Sequence, residues 1–200
     1  IDPVTQRQNQ MKGRGARKLE LALEQIHLPI QDSYCIDLGA SHGGFVRTLL
    51  ENGAARVSAV DVAYGILDYS LRVDPRVSAI ERSNVRNIES SWFEDLPSSG
   101  KIIVTCDVSF MSIRTVLASL ADFLHGTGLA MEGLFLVKPQ FEDSKSTVKG
   151  ILKDPIRREE IISEIRSFCV AKGFEVKGRM DLPEISGKNL EVFLHLSYEK

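Results

Sequence analysis

The sequence is poor in cysteine and has no long apolar run. Three of its 200 residues are cysteines, and neither a CxxC pair nor a Cys/His ligand spacing is present. This pattern argues against a disulfide framework and predicts no metal site. No stretch approaches the roughly 20 apolar residues of a transmembrane helix, and no signal segment opens the chain. We therefore expect a cytoplasmic protein without a membrane span.

Charge is nearly balanced overall but is concentrated near the start of the chain. The net charge of −2 gives no general sign of nucleic-acid binding. The segment between Pro3 and Leu19, however, has five basic residues and no acid: Arg7, Lys12, Arg14, Arg17 and Lys18. Such a segment can contact phosphates, although a solvated tail or a helix start explains it equally well. We expect a basic arm or linker over residues 1–17 and a single domain over residues 18–200.

Short apolar runs alternate with segments of helical spacing along most of the chain. The predicted strands are Tyr34–Leu38, Arg56–Val60, Val77–Ile80, Lys101–Cys106 and Met131–Val137, followed by Phe174–Met180 and Leu190–Tyr198. The predicted helices are Lys18–Leu28, Phe45–Asn52, Met111–Leu124 and Pro155–Lys172, with a mobile loop over residues 140–153. Alternating strands and helices predict an α/β fold with a parallel sheet covered on both faces, and the last two strands predict an antiparallel hairpin.

A charged residue lies next to the last residue of each of five predicted strands. These residues are Asp37, Asp61, Glu81, Asp107 and Lys138. Open α/β sheets bind ligands at the carboxyl ends of their strands, so we expect the site at this edge. A single acid after a strand is often only the cap of the next helix, whereas five charged residues at five strand ends indicate a binding site.

A glycine-rich loop follows the first strand and reads Asp37-Leu38-Gly39-Ala40-Ser41-His42-Gly43-Gly44. Glycines at this place allow a tight bend and a close approach of a ligand to the backbone. The spacing is not the GxGxxG pattern of dinucleotide sites, and an acid two residues before the first glycine is typical of methyltransferase loops. We expect Asp37, Gly39, Ala40, Ser41, Gly43 and Gly44 to hold the carboxypropyl end of S-adenosylmethionine. A structural turn before a helix is the alternative.

The next strand ends supply candidates for the adenosine part of the same cofactor. Asp61 lies 22 residues after Gly39 and can accept hydrogen bonds from both ribose hydroxyls, with Val62 beside it. Glu81 and Asn84 follow the third strand, near the expected position of the adenine. A cap or turn role is an open alternative for each of these acids.

Lys138 and Glu191 are two further candidates for a chemical role. Lys138 closes an apolar strand, and a lysine whose surroundings lower its pKa can act as a general base. Glu191 opens the last predicted strand, where a buried acid requires a partner. A lysine that only extends its amine to solvent at a strand end is the alternative for Lys138.

The ordered set of motifs resembles the TlyA or hemolysin A family of ribosomal RNA 2′-O-methyltransferases, within the wider FtsJ-like class. The resemblance extends from Gly13 to Leu196 and rests on residues 14–19, 37–45, 59–65, 74–77, 81–86, 107–112, 137–142 and 189–194. Two departures stand out. Family members usually carry two glycines where this chain has Gly15-Ala16. They also carry an N-terminal S4-type RNA-binding domain that these 200 residues lack, and we expect the sequence to be a piece of a longer protein.

The resemblance implies a fold, a cofactor, a substrate and a set of catalytic residues. The fold is the Rossmann-like class I methyltransferase fold, and the cofactor is S-adenosylmethionine. The substrate is a ribose 2′-hydroxyl of RNA, in cytidines of ribosomal RNA, with ribosomal RNA or ribosomal subunits as partners. The FtsJ-like Lys-Asp-Lys-Glu tetrad is placed on Lys18, Asp107, Lys138 and Glu191. Of these, Lys18 comes from the resemblance alone, since its own position indicates only a lysine on a helix surface.

Three other functions are possible from the sequence. A methyltransferase acting on a small molecule or a base would keep the glycine-rich loop and Asp61, but it would not need Lys138 with Glu191. The hemolysin name suggests a membrane-active protein, which the absence of an apolar span disfavours. A binding module that has lost catalysis would not be expected to retain the four tetrad residues.

Overall fold

The computed structural model describes residues 13–199, which form one mixed β-sheet between two layers of helices. The strands are β1 (Tyr34–Leu38), β2 (Arg56–Val60), β3 (Val77–Ile80), β4 (Lys101–Cys106), β5 (Ala130–Val137), β6 (Glu175–Asp181) and β7 (Val192–Tyr198). Within these residues the strand order is β3-β2-β1-β4-β5-β7-β6. Strands β1 to β5 are parallel, whereas β7 is antiparallel to β5 and β6. The predicted α/β fold with a closing antiparallel hairpin is confirmed.

The helices cover both faces of this sheet. They are α1 (Arg14–Leu23), α2 (Gly44–Glu51), α3 (Tyr69–Arg72), α4 (Ile113–Thr127), α5 (Pro139–Glu142) and α6 (Pro155–Ala171). On one face, Leu19 of α1 and Leu49 of α2 belong to one buried apolar cluster. On the other face, Leu117 of α4 and Ile165 of α6 belong to a second cluster. This double coverage explains why the central strands are apolar on both sides.

Local sequence signals set the ends of the longer helices. Helix α4 begins after Ser112, whose hydroxyl accepts a hydrogen bond from the Arg114 amide, and it ends at Gly128, which has a φ of +69°. Helix α6 begins after Asp154, whose carboxylate accepts from two backbone amides, and Pro155 takes the first helical position. These are ordinary N-cap and C-cap devices. They fix the segments that lead into and away from the carboxyl edge of the sheet.

Helix α1 differs from the helix predicted over Lys18–Leu28. It starts four residues earlier because Ala16 is buried together with Leu19 and Ala22 on one helical face. It ends earlier as well, and Pro29 disfavours helical backbone at Leu28. Residues 14–17, which we assigned to the basic arm, are therefore helical, whereas residues 1–12 lie outside the described residues. The division into arm and domain stays a prediction.

A close backbone contact holds α1 against α2. A Cβ atom added to Gly44 would lie 2.7 Å from the backbone nitrogen of Ala16 and 3.1 Å from the Cα of Gly15. Any side chain at Gly44 would therefore push the two helices apart. Burial of Leu19 in the same contact contributes about 1.5–3 kcal/mol. This contact fixes the position of Lys18, one residue before Leu19.

The segment after β5 was predicted to be a mobile loop, and this prediction was wrong in part. Helix α5 and a 3-10 turn over Ser144–Ser146 occupy its first half. The Asn189 side chain accepts a hydrogen bond from the Leu152 amide and donates one to the Gly150 carbonyl. The segment is thereby tied to the β6–β7 connection, and polar composition alone gave no sign of this.

Candidate active site

The candidate site lies where the sheet order reverses, at the carboxyl ends of β1 and β4. Two adjoining cavities open there, with volumes of about 450 and 580 Å³. They share Gly39, Ser41, Asp107 and Ser109 along their common border. Open α/β sheets bind ligands at such a switch point. We call the first the adenosine cavity and the second the tetrad cavity.

The glycine-rich loop forms the boundary between these cavities. Gly39 has a φ of +85°, and a Cβ added there would lie 2.7 Å from the Asp107 carbonyl oxygen. Gly43 has a φ of +93°, and its Cβ would collide with Leu71. The amides of Gly39 and Ala40 both donate to the Val60 carbonyl, which ties the loop to β2. The loop therefore has a tight bend that only glycine accepts at these two positions.

Asp61 connects the glycine-rich loop to the turn after β2. Its Oδ2 accepts a hydrogen bond from the Ser41 amide, and its Oδ1 accepts one from the Ala63 amide, both at 2.8 Å. A carboxylate oxygen has further acceptor capacity after one hydrogen bond, so two ribose hydroxyls can still be received. Asp61 lines the adenosine cavity, and its role toward a ribose stays a prediction.

Asp37 is a buried acid beneath the loop. Its side chain is almost fully inaccessible, and its Oδ1 accepts a hydrogen bond from the Thr105 hydroxyl at 2.7 Å. Its Oδ2 has no hydrogen-bond partner among the described residues. Burial raises the pKa of Asp37 to about 7, the Thr105 hydrogen bond opposes this shift, and the charges of Asp107 and Asp61 add to it. Asp37 lines the tetrad cavity and is suited to meet a cationic group there.

The residues proposed for the adenine side are only partly brought together. Val62 and Asn84 line the adenosine cavity. Glu81 lines neither cavity: its carboxylate accepts a hydrogen bond from the Gly65 amide and forms an ion pair with Arg72. The Arg72 contact lowers the pKa of Glu81. Its assignment to the cofactor stays a prediction that the observed contacts do not favour.

The four tetrad residues meet at one point, although they come from distant parts of the chain. Lys138 Nζ lies 2.5 Å from Asp107 Oδ1, and Lys18 Nζ lies 3.6 Å from Asp107 Oδ2. Lys18 Nζ also lies 2.6 Å from Glu191 Oε2. The Lys138 side chain is only 8% exposed, and all four residues line the tetrad cavity. Glu191 precedes β7 rather than opening it, and the partner that its burial required is Lys18.

Three residues that we did not single out from the sequence support this arrangement. Ser109 accepts a hydrogen bond from Lys138 Nζ at 2.8 Å. Phe110 is 88% exposed, lines the adenosine cavity and has a φ of +62°, an unfavourable backbone conformation for this residue. Glu142 is buried and accepts hydrogen bonds at 2.6 Å from the Ser112 hydroxyl and the Ile113 amide. Glu142 thus links the segment after Lys138 to the segment after Asp107.

Within residues 13–199, no helix has both the length and the apolar character needed to cross a bilayer.

Comparisons with known proteins place these features in a family. The model of the FtsJ-like methyltransferase family matches residues 11–197. The chain is 38% identical to YqxC, a candidate rRNA methyltransferase of Bacillus subtilis, over 98% of this chain and 69% of YqxC. It is 38% identical to the 16S/23S rRNA (cytidine-2′-O)-methyltransferase TlyA of Mycobacterium tuberculosis, over 96% of this chain and 70% of TlyA. A solved structure of a candidate hemolysin from Streptococcus thermophilus has a TM-score of 0.84 and 37% identity, with 94% of this chain and 67% of that chain covered.

Proposed function

Because the chain belongs to the FtsJ-like methyltransferase family, we propose that it transfers a methyl group from S-adenosylmethionine to a ribose 2′-hydroxyl in ribosomal RNA. The observation that carries this proposal is the meeting of Lys18, Asp107, Lys138 and Glu191 beside the glycine-rich loop. The name of the Mycobacterium tuberculosis relative supports cytidine as the acceptor nucleotide. A ribosomal substrate also implies a cytoplasmic location.

The residues present fit S-adenosylmethionine. The cofactor supplies a methyl group that is already activated on a sulfonium sulfur. Asp61 offers two oxygens to the ribose hydroxyls, and the sharp bend at Gly39 leaves room for the methionine part. The unpartnered Oδ2 of Asp37 is matched to the ammonium group of an amino acid. Held in this way, the cofactor would supply its methyl group at the border between the adenosine cavity and the tetrad cavity.

The tetrad positions the acceptor hydroxyl and takes up its proton. Lys138 Nζ, once it has given up one of its own three protons, would accept the 2′-hydroxyl proton as the 2′-oxygen takes the methyl group, and the sulfonium cofactor would leave as a neutral thioether. Asp107 and Ser109 hold Nζ from two directions, so that its remaining direction faces the cavity. Lys18 and Glu191 form the opposite wall of the tetrad cavity and can form hydrogen bonds with the ribose. Because the methyl group is already activated, placement of the two reactants accounts for most of the required catalysis.

Phe110 gives this site a surface that suits RNA. An exposed aromatic ring can stack an unpaired base that has left a helix, and this is a common mode of single-stranded RNA recognition. The Phe110 ring also contacts Phe141, with 5.2 Å between the ring centroids. Because Phe110 directly follows Ser109, whose hydroxyl accepts a hydrogen bond from Lys138 Nζ, a base stacked on Phe110 would place its ribose near the amine.

The chemistry of RNA cleavage tests this proposal directly. In alkali, the 2′-oxygen attacks the adjacent phosphate, and a methyl group on that oxygen prevents the attack. RNA treated with the protein should show a gap in its alkaline ladder at the modified nucleotide. Lys138→Met should remove the gap and reduce methyl transfer by about 100-fold or more, with cofactor affinity nearly unchanged.

Two controls make the result decisive. Lys172→Met changes a lysine at the end of α6 that lines neither cavity, and it should leave the gap intact. Isolated ribosomal subunits and naked ribosomal RNA should be compared as substrates. A methylated product with a complete ladder would show that the methyl group is not on a ribose, and the proposed acceptor would then be wrong.

A further inference from the structure

A third cavity adjoins the tetrad and has no part in the mechanism above. It has a volume of about 410 Å³ and lies between α1 and the connection from β6 to β7. It shares Arg14, Lys18 and Glu191 with the tetrad cavity. A ligand in this third cavity would therefore lie directly beyond the wall that Lys18 and Glu191 form against the acceptor ribose. We call it the flanking cavity.

The walls of the flanking cavity are apolar, with one buried acceptor. Leu21, Leu182, Pro183 and Ile185 supply the apolar surface. Gln140 also lines the cavity and is partly exposed; its Oε1 has almost no accessible surface and no hydrogen-bond partner among the described residues, so the side chain must rotate to offer this oxygen to a ligand. A buried carbonyl oxygen without a donor is unfavourable, so a ligand that brings an N–H group would be favoured there. This combination suits a flat apolar ring that carries a donor on its edge.

Two unpaired cations lie on opposite sides of this cavity. Arg14 on α1 and Lys188 in the β6–β7 connection form no ion pair within residues 13–199. Arg17, in contrast, lies close to Glu20 and Glu24, and Lys18 is paired with Glu191. Free guanidinium and ammonium groups at a cavity rim favour an anion such as a phosphate. A nucleotide has both of the features that the cavity favours, a flat base and a charged phosphate.

We propose that the flanking cavity binds the RNA nucleotide next to the acceptor and selects a base with an exocyclic amino group. Gln140 Oε1 accepts a hydrogen bond from that amino group, and Arg14 and Lys188 face the phosphate. Gln140 follows Lys138 by two residues. The same short segment therefore carries the residue proposed as general base and the residue proposed to select the neighbouring RNA base. This inference rests on the proposed function, because it assumes that RNA reaches the tetrad.

A cycle of two ligands and two proteins tests the inference without any measurement of methyl transfer. Cytidine 5′-monophosphate and its 4-deamino analogue, which has no donor on the base, are titrated by saturation-transfer NMR. S-adenosylhomocysteine is present to fill the cofactor site. The wild-type protein should bind cytidine 5′-monophosphate about 5-fold more tightly, the effect of one neutral hydrogen bond. In Gln140→Leu, the two ligands should bind equally.

Two further variants keep the test decisive if Gln140→Leu does not fold. Gln140→Glu retains an acceptor oxygen and should retain the preference for the amino group. Arg14→Gln should weaken both ligands to a similar extent, because it removes a phosphate contact only. Equal binding of the two ligands by the wild-type protein, no detectable binding of either, or a preference that persists in Gln140→Leu would each overturn the inference. The alkaline ladder and Lys138→Met test the proposed function separately, and either result can stand alone.

Discussion

Replacement of Asp37 by asparagine should make the protein more stable at neutral and alkaline pH. Asp37 is buried, and burial raises its pKa from 3.8 to about 7. A carboxyl whose pKa is higher in the folded state binds its proton more tightly there than in the unfolded chain. The contribution of Asp37 to folding stability is therefore largest below pH 3.8, falls as the pH rises toward 7, and changes no further above that. Asparagine has a similar shape and does not ionise, and its side-chain oxygen can still accept the hydrogen bond from the Thr105 hydroxyl.

The size of the effect follows from the two pKa values. The difference of about 3 pH units corresponds to about 4 kcal/mol of folding free energy at 1.36 kcal/mol per unit. More than half of this loss falls in an accessible range, with about 2–3 kcal/mol expected between pH 5 and pH 8. Groups other than Asp37 also titrate there, so the informative quantity is the difference between wild type and variant.

Urea unfolding at several pH values measures this difference without cofactor present. The stability of Asp37→Asn minus that of the wild type should grow by about 2–3 kcal/mol from pH 5 to pH 8, with equal m-values. Asp122→Asn, which changes an exposed acid on α4, should show no such trend. A difference between Asp37→Asn and wild type that is independent of pH would show that Asp37 ionises normally, and the argument from burial would fail.

Three further results are expected. Asp61→Ala should weaken S-adenosylmethionine binding by roughly 1.5–3 kcal/mol in calorimetry, because it removes charge-assisted hydrogen bonds, and unchanged affinity would place the ribose elsewhere. Glu142→Gln should cost about 1–2 kcal/mol of stability in thermal unfolding, since the Ser112 hydroxyl and the Ile113 amide lose a carboxylate acceptor. It should also lower kcat, and a normal kcat would refute a positioning role for Glu142. RNA binding by this 200-residue chain should be weak and should fall steeply with salt in filter assays, because phosphate contacts dominate, and tight binding at high salt would contradict this.

The fold was largely predictable from sequence because the buried strands are short apolar runs with clear ends. The bounds of β1, β2, β3 and β4 agree with the prediction at every residue. The errors fall where tertiary contacts override local pattern. The start of α1 depends on burial of Ala16 against Gly44 in another helix. The structure of the segment after β5 depends on the Asn189 side chain, which accepts from Leu152, and on the Ser112 hydroxyl and Ile113 amide, which donate to Glu142. Such partners are distant in sequence and leave no local signal.

The candidate site was predictable to the extent that it follows from strand ends. Asp37, Asp61, Asp107 and Lys138 follow from the rule that ligands bind at the carboxyl edge of a parallel sheet. Lys18 was different: nothing in its own sequence surroundings distinguishes it from a surface lysine, and only the family resemblance indicated it. Ser109, Phe110 and Gln140 could not be predicted, because their roles depend on hydrogen bonding, backbone conformation and burial that a single sequence does not reveal.

The position of β7 links the candidate site to a late part of the chain. β7 is the last of the described strands in sequence, yet it lies inside the sheet between β5 and β6. Glu191, the partner of Lys18, immediately precedes it. Phe193 of β7 also packs against Phe45 of α2, the helix that follows the glycine-rich loop. The four tetrad side chains can therefore meet only after this late segment has been synthesised and inserted, so the arrangement is completed when most of the domain has already left the ribosome.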